Sequence, residues 1–325
     1  MDTTSTARPA PSSPYSATTA GIVCGMGAGA LWGLVFLAPQ LVRGFNPLQL
    51  TVGRYLGYGL IALMLIAPRW RTLSVQIGRC QWWSLAWLAL SGNTLYYVLL
   101  SSAVQTGGIA MTSLVIGFLP VAVTVIGSRD HGAVSLRRLL PSLLLCTAGA
   151  VCIGSQALAR STVASAERPL FGLLCAIGSL ASWTAYAIGN ARCLARMPSV
   201  SPQDWNLLTG LATGAQSLLL LPFAFALGAA SHGVDAWARF GAVSAGVAVL
   251  ASIAGNALWN RMSRLLPLTL VGQMILFETL FALLYGWLWE HRWPTPLEIA
   301  ALCFVVLSVL SCLRAHRAGN TRSAA

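Results

Sequence analysis

The chain has 325 residues, 56% hydrophobic and 9% charged, with a mean hydropathy of +0.71. Soluble domains carry roughly 25% charged residues, so this composition excludes a soluble enzyme and a disordered chain: too little polar surface exists to cover a water-facing core. The formal charge of +12 comes from Arg alone, without one Lys; these residues stand between long apolar runs rather than in a patch, which excludes a nucleic-acid binder.

The head, Met1 to Thr19, is rich in Ser, Thr, Pro and Ala and is expected to be a disordered tail. It lacks a basic n-region, and the apolar run after it is too long for a signal peptide, so no cleavage is expected. Ten apolar segments follow, at about 20–42, 48–67, 82–103, 107–128, 136–157, 170–190, 205–227, 237–259, 265–289 and 297–314. Each approaches the roughly 20 residues that a helix needs to cross a bilayer. The expected fold class is therefore an all-α integral membrane protein with ten transmembrane helices and a short tail, 315–325. An even number of spans puts both termini on one side. Fourteen Arg residues fall on that side, five on the other, and only Arg54 lies inside a span. The excess of basic residues places both termini in the cytoplasm.

The two halves resemble each other. Gly21 precedes Trp32 by eleven residues and Gly172 precedes Trp183 by eleven; Pro47 and Pro198 each follow that Trp by fifteen. The third span contains Gly92-Asn93-Thr94-Leu95-Tyr96 and the eighth Gly255-Asn256-Ala257-Leu258-Trp259. Leu119-Pro120 in the fourth span matches Glu278-Thr279 in the ninth, and Asp130 and Glu290 follow. Each half has five spans, so the copies thread the membrane in opposite senses. Residues 20–157 and 170–314 are expected to be inverted five-helix repeats, with 158–169 an external linker. That architecture suits secondary transporters, whose sites lie near the midplane between the repeats.

Ala30-Leu31-Trp32-Gly33, Arg54, Pro120, Phe277-Glu278 and Trp289-Glu290 resemble the drug/metabolite transporter superfamily. Within it the chain is most similar to the ten-span exporters built of two EamA-type domains, over about residues 20–315. The first span lacks the Glu of the small multidrug-resistance relatives. The resemblance implies export of an amino acid, another small amphipathic metabolite or a drug across the inner membrane.

Helical spacing places the polar and aromatic residues of the spans on shared faces. Trp32, Phe36 and Gln40 form one row. Trp183, Tyr186 and Asn190 form its partner in the sixth span. Asn93, Tyr96 and Tyr97 share a face of the third span, and Asn256, Trp259 and Asn260 share the matching face of the eighth. Gln273 and Glu278 come from the ninth. Trp32, Gln40, Asn93, Tyr96, Tyr97, Trp183, Tyr186, Asn190, Asn256, Trp259 and Gln273 are thus the candidates for a central substrate cavity. Helix packing and interhelical hydrogen bonding are the competing roles for these tryptophans and asparagines. Trp70, Trp82, Trp83, Trp237, Trp287, Trp289 and Trp293 lie near span ends and read as an interfacial belt.

Two ionisable residues stand inside spans. Glu278 lies about 20 Å into the ninth by helical rise, where a carboxylate costs on the order of 2.5 kcal/mol or more. It is a candidate for proton coupling or for an ion pair with a substrate amine, against a structural pairing with Arg54 or amides. Arg54 is a candidate for binding a substrate carboxylate, against snorkelling to the membrane surface. The Gly21, Gly25, Gly29 and Gly33 stripe invites close helix approach.

Eight Cys lie mostly in apolar runs without metal-ligand spacing, and read as small buried apolar residues. His131 is expected to be a solvated loop residue. No GxxxxGK[ST] occurs, so ATP-driven transport by this chain is not expected. No cofactor or metal is expected; the expected partners are a small-molecule substrate, membrane lipid and protons. An intramembrane enzyme acting on a lipid or polyprenyl substrate would need clustered acid/base or metal residues, and a passive channel a continuous polar ring.

Overall fold

In a computed structural model, residues 14–42, 44–127, 135–160, 169–226, 232–289, 291 and 293–323 are described. The helices are α1 Pro14–Gly33, α2 Ala38–Leu41, α3 Pro47–Ile66, α4 Trp70–Gln76, α5 Arg79–Ala89, α6 Leu95–Ile116, α7 Leu119–Gly127, α8 Leu136–Arg160, α9 Pro169–Arg196, α10 Pro202–Ala226, α11 Val234–Val247, α12 Asn256–Leu265, α13 Leu268–Met274, α14 Leu276–Trp289 and α15 Pro296–Ser323. Among the described residues there is no strand. Among the described residues, five helical runs are long and apolar enough to cross a membrane: Ala17–Phe36, Pro47–Gln76, Phe171–Arg196, Pro202–Ala226 and Val234–Leu265. Leu270–Tyr285 and Ile299–Cys312 are shorter apolar helices. Leu60, Met64, Leu218, Leu219 and Phe223 stand exposed on α3 and α10, an apolar surface suited to lipid contact.

Capping chemistry fixes where matching helices begin. The Asn46 side chain accepts from the Gln49 N–H at 2.8 Å while Gln49 Oε1 accepts from the Asn46 N–H at 3.0 Å, a capping box with Pro47 in the first turn. Ser201 performs the same task before Pro202: its Oγ accepts from the Asp204 N–H at 3.0 Å and donates to the Asp204 carboxylate at 2.7 Å. By its place at the head of a helix the counterpart of Pro47 is Pro202, not Pro198 as spacing suggests; Pro198 lies in the turn after α9. Pro202 follows Trp183 by nineteen residues where Pro47 follows Trp32 by fifteen, because α9 runs on to Arg196 while α1 ends at Gly33; a count carried over from the first half does not reveal this.

The equivalent helices α3 and α10 pack along each other in opposite directions. Arg69, just past the end of α3, pairs with Asp204 in the first turn of α10 at 2.8 Å. Gly59 and Gly214, each twelve residues beyond its proline, meet where the backbones cross. A Cβ on Gly59 would lie 2.6 Å from the Gly214 Cα, and one on Gly214 2.7 Å from the Gly59 Cα.

The other contacts follow the same pairing of halves: α8 packs on α15 and α7 on α13, while α1 lies against α12 and α14 and α9 against α6. The α1 glycine stripe makes its contact possible. A Cβ on Gly29 would fall 2.6 Å from Phe277 Cβ and 2.8 Å from the Glu278 nitrogen.

Each Gly-Asn motif sits at an irregularity. Leu90–Thr94, joining α5 to α6, and Ala248–Gly255, joining α11 to α12, are π-helical. A π turn disturbs the regular ladder and frees carbonyls for other donors. Ser182 Oγ of α9 donates to the Ser91 carbonyl at 2.7 Å, and Trp32 Nε1 of α1 donates to the Ala251 carbonyl at 3.0 Å. The first helix of each half is thereby tied to the third span of the other. The fourth and ninth spans are broken at matching places, Gly117–Phe118 before α7 and Ile275 before α14.

Some boundaries differ from expectation. Residues 14–19 are helical rather than tail, and α15 runs through 315–323. No helix end is assigned near 104–106, where a break is expected: α6 runs on to Ile116, yet Val115 packs with Ala103, Cys175 and Ala176, so the chain folds back on itself between the third and fourth spans. The first 13 residues, 161–168 of the linker, Asp130, His131 and Glu290 lie outside the described residues. Cys24, Cys146, Cys175 and Cys312 are buried as expected, whereas Cys80 and Cys303 are exposed.

Candidate functional site

The tryptophans at matching positions in α1 and α9 meet between the halves. Trp32 and Trp183 stand edge to face, with ring centroids 5.8 Å apart. Trp32 also packs on Trp259 at 5.0 Å, and Trp183 on Tyr96 at 6.3 Å. Trp259 and Tyr96 each lie three residues after the asparagine of a Gly-Asn motif. Each first-helix tryptophan therefore packs against the equivalent aromatic of the opposite half. Tyr186 adds its ring 5.7 Å from Trp183. It reaches the cavity because Gly92 has no side chain: a Cβ there would lie 2.3 Å from the Tyr186 ring.

Beside this cluster is a cavity of about 30 Å³ lined by Trp32, Val35, Arg54, Tyr55, Gly92, Asn93, Tyr96, Leu100, Trp183, Tyr186, Asn256 and Glu278. The volume suits about one water molecule and is far below the roughly 300 Å³ or more of a metabolite pocket. Its walls combine aromatic rings, two amides and two opposite charges.

Arg54 is buried. Its Nε donates to Ser252 Oγ at 3.0 Å, and its guanidinium lies 4.8 and 4.7 Å from the ring centroids of Tyr55 and Tyr97. Cation–π contact and one hydroxyl thus hold the charge in place of snorkelling. Glu278 is also buried, in the first turn of α14, directly after the break at Ile275. A helix N-terminus favours negative charge there. The two charges face one cavity without forming an ion pair within 4 Å; among the described residues the one ion pair is Arg69–Asp204.

Of the residues expected at the site, Trp32, Asn93, Tyr96, Trp183, Tyr186, Asn256, Arg54 and Glu278 line the cavity. Asn93 is braced there, donating to Thr213 Oγ1 at 3.0 Å. Trp259 stands behind Trp32 and Trp183. Tyr97 lines a neighbouring cavity with Pro39 and Leu100. Asn190 turns away to Asn260 and Trp205. Gln273 is buried and accepts from Ser308 Oγ at 3.0 Å, a contact between α13 and α15. The Gln40 side chain lies outside the described residues. Tyr55, Gly92, Val35 and Leu100 complete the wall without having been singled out. The Gly92 motif was a signal for its position; Tyr55, next to Arg54, shares no helical face with it and gave none. Among the described residues no cluster of His, Cys, Asp or Glu suits a metal ion.

Comparison with known proteins gives a consistent picture. The EamA-like transporter family matches residues 19–155 and again 170–314. Inner membrane protein YtfF of Escherichia coli (strain K12) is 32% identical over 308 residues, covering 91% of this chain and 95% of its own. A crystal structure of 19% identity superposes with a TM-score of 0.71 over 92% of this chain and 98% of that one, a likeness of fold.

Proposed function

Because the chain belongs to the EamA-like transporter family, we propose that it is a secondary active transporter that exports a small amino acid-like or drug-like metabolite across the inner membrane by alternating access. In this reading ten spans form two inverted five-helix repeats, residues 20–157 and 170–314, with both termini in the cytoplasm. The antiparallel packing of α3 on α10 supports the inversion.

The observation that carries the reading is the pair of buried ionisable side chains of opposite type, Arg54 and Glu278, facing one small cavity between the halves without an ion pair within 4 Å. Buried charges are costly unless paired. A solute with a carboxylate at one end and an amine at the other would satisfy both, while the aromatic walls take its apolar part. The closed cavity is too small for such a solute, so the bundles must part to admit it. Asn93 and Asn256, from matching π-helical junctions, supply hydrogen-bonding groups to the polar atoms between.

Counterflow in reconstituted vesicles tests the reading, with a panel of labelled amino acids as probes. A carrier exchanges labelled for unlabelled solute, a channel gives no acceleration, and an intramembrane enzyme alters the compound. Loss of exchange in Arg54→Gln alongside retained folding supports it; no exchange of any zwitterion by the unaltered protein removes the amino acid-like cargo. For Glu278 the second role is proton coupling. A pH-gradient-driven flux that keeps its pH dependence in Glu278→Gln eliminates that role.

A further inference from the structure

The two ends of the central cavity are built differently, although a repeat relates them. At one end Asn190 of α9 donates from Nδ2 to Asn260 Oδ1 of α12 at 2.8 Å, and Trp205 Nε1 of α10 donates to Asn190 Oδ1 at 2.8 Å. All three side chains are buried, and together they tie the sixth, seventh and eighth spans. Counting from the repeat's own landmarks gives the counterparts. Asn190 lies seven residues after Trp183, as Pro39 after Trp32. Trp205 lies three after Pro202, as Leu50 after Pro47. Asn260 lies four after Asn256, as Tyr97 after Asn93. Leu50 and Pro39 carry no side-chain donor or acceptor, so the hydrogen-bonded triad cannot form at the opposite end. Pro39 and Tyr97 instead border a gap of about 30 Å³ that shares Val35 and Leu100 with the central cavity.

Beyond the triad a cleft of about 440 Å³ opens between α9 and α12–α13, lined by Ala191, Leu194, Ser263, Arg264 and Pro267 among others. Arg264 fixes its rim by donating to the carbonyls of Met197 and Val200. This is the Arg-rich side, cytoplasmic in the topology proposed above. Open space thus lies on both sides of the Asn190–Asn260 contact, one turn from each.

We propose that the Asn190–Asn260–Trp205 triad is the latch that shuts the central cavity from the cytoplasm, and that the cleft beyond it is the cytoplasmic vestibule. The inference rests on the transport reading. A buried amide pair suits a latch: its hydrogen bonds hold the closed state, and when the helices part each amide meets water in the vestibule rather than being left unpaired. The other end lacks this triad, since Pro39 and Leu50 stand at two of its three positions.

The test needs no cargo. In a chain with its eight native cysteines replaced, Val35→Cys puts a thiol on the wall shared by the central cavity and the outer gap. A membrane-impermeant thiol reagent is applied to right-side-out and inverted vesicles. With the latch intact the thiol should react faster from the outer face than from the cytoplasmic face; adding Asn260→Leu, or separately Asn190→Leu, should raise its rate from the cytoplasmic face about tenfold, the scale of losing one or two buried hydrogen bonds. A cytoplasmic rate that neither substitution raises overturns the latch and leaves the transport reading standing. Equal rates from the two faces before the latch is altered also overturn the latch alone, since alternating access opens the cavity to each side in turn; reaction from neither face in any variant overturns the transport reading as well. If the leucine variants do not fold, Asn190→Cys with Asn260→Cys, bridged by a short bifunctional thiol reagent and assayed on a third cysteine at position 35 protected beforehand, should hold reaction to the outer face; cytoplasmic reaction of the bridged protein overturns the proposal.

Discussion

Trp32 and Trp183, matching residues of the two halves, meet edge to face with their ring planes at 90°. Trp32 additionally donates to the Ala251 carbonyl exposed by the π-helical junction. Two kinds of interaction can therefore be separated at one residue. Trp32→Phe removes the hydrogen bond and keeps a ring, and should cost about 1 kcal/mol or less. Trp32→Ala removes the ring from a packed cluster and should cost about 3 kcal/mol or more. Thermal unfolding in detergent, followed for both variants, checks the order; equal losses would mean that the ring stacking is not what holds the halves together.

The Gly59–Gly214 crossing predicts a position-specific steric effect. Gly59→Ala puts a Cβ 2.6 Å from a backbone atom that cannot swing aside, so α3 and α10 must separate, at about 1–3 kcal/mol. Gly241→Ala on α11 meets nothing within 4 Å and should leave the melting temperature unchanged or slightly raised, since Ala is the better helix former.

Arg54 lies against two tyrosine rings with its Nε on Ser252. Lys has no planar group to lie over both rings and no Nε–H at that place. Arg54→Lys should lower solute exchange at least about tenfold, the effect of about 1.4 kcal/mol, while keeping the charge. Counterflow with and without the substitution reads it; full activity in the lysine variant would reduce Arg54 to a source of positive potential.

Arg54 and Glu278 form no ion pair within 4 Å, so across their shared cavity they should couple only weakly, through space. In a double-mutant cycle with Arg54→Gln and Glu278→Gln, the coupling should stay below about 1 kcal/mol, less than a buried contact pair gives when one partner is removed. Chemical or thermal unfolding of the four proteins provides the number. Strong coupling would show a direct ion pair.

At the rim the Arg69–Asp204 pair has one half-exposed member. Arg69→Gln should change stability by less than about 1 kcal/mol, and less still at high salt. Ser201→Ala removes an N-cap from α10 and should cost about 1 kcal/mol regardless of salt. Melting curves at low and high ionic strength distinguish them.

The repeat was legible in the chain because its landmarks are residues with strong local consequences. Gly-Asn at the third span of each half marks the π-helical junctions, and Trp32 and Trp183 mark where side chains of the first helices meet. Helical periodicity placed Trp32, Asn93, Tyr96, Trp183, Tyr186 and Asn256 on inward faces, and all line the cavity. It could not separate cavity from gap or contact once a face was chosen. Asn190 and Tyr186 share a face, yet Asn190 is one turn further on and finds Asn260 instead. The break at Ile275 carries no glycine or proline; it reflects how α13 and α14 pack against α7 and α1, which no local residue announces.

Arg54 stands seven residues after Pro47, where the other half has Thr209 seven after Pro202, and Glu278 is the third residue of α14 where Val121 is the third of α7. The family match repeats along the chain, but at these two positions the halves differ. In the transport reading proposed above, a dipolar cargo held between Arg54 and Glu278 takes a single head-to-tail orientation, dictated by the chain itself, whichever compartment it came from and whichever it leaves to.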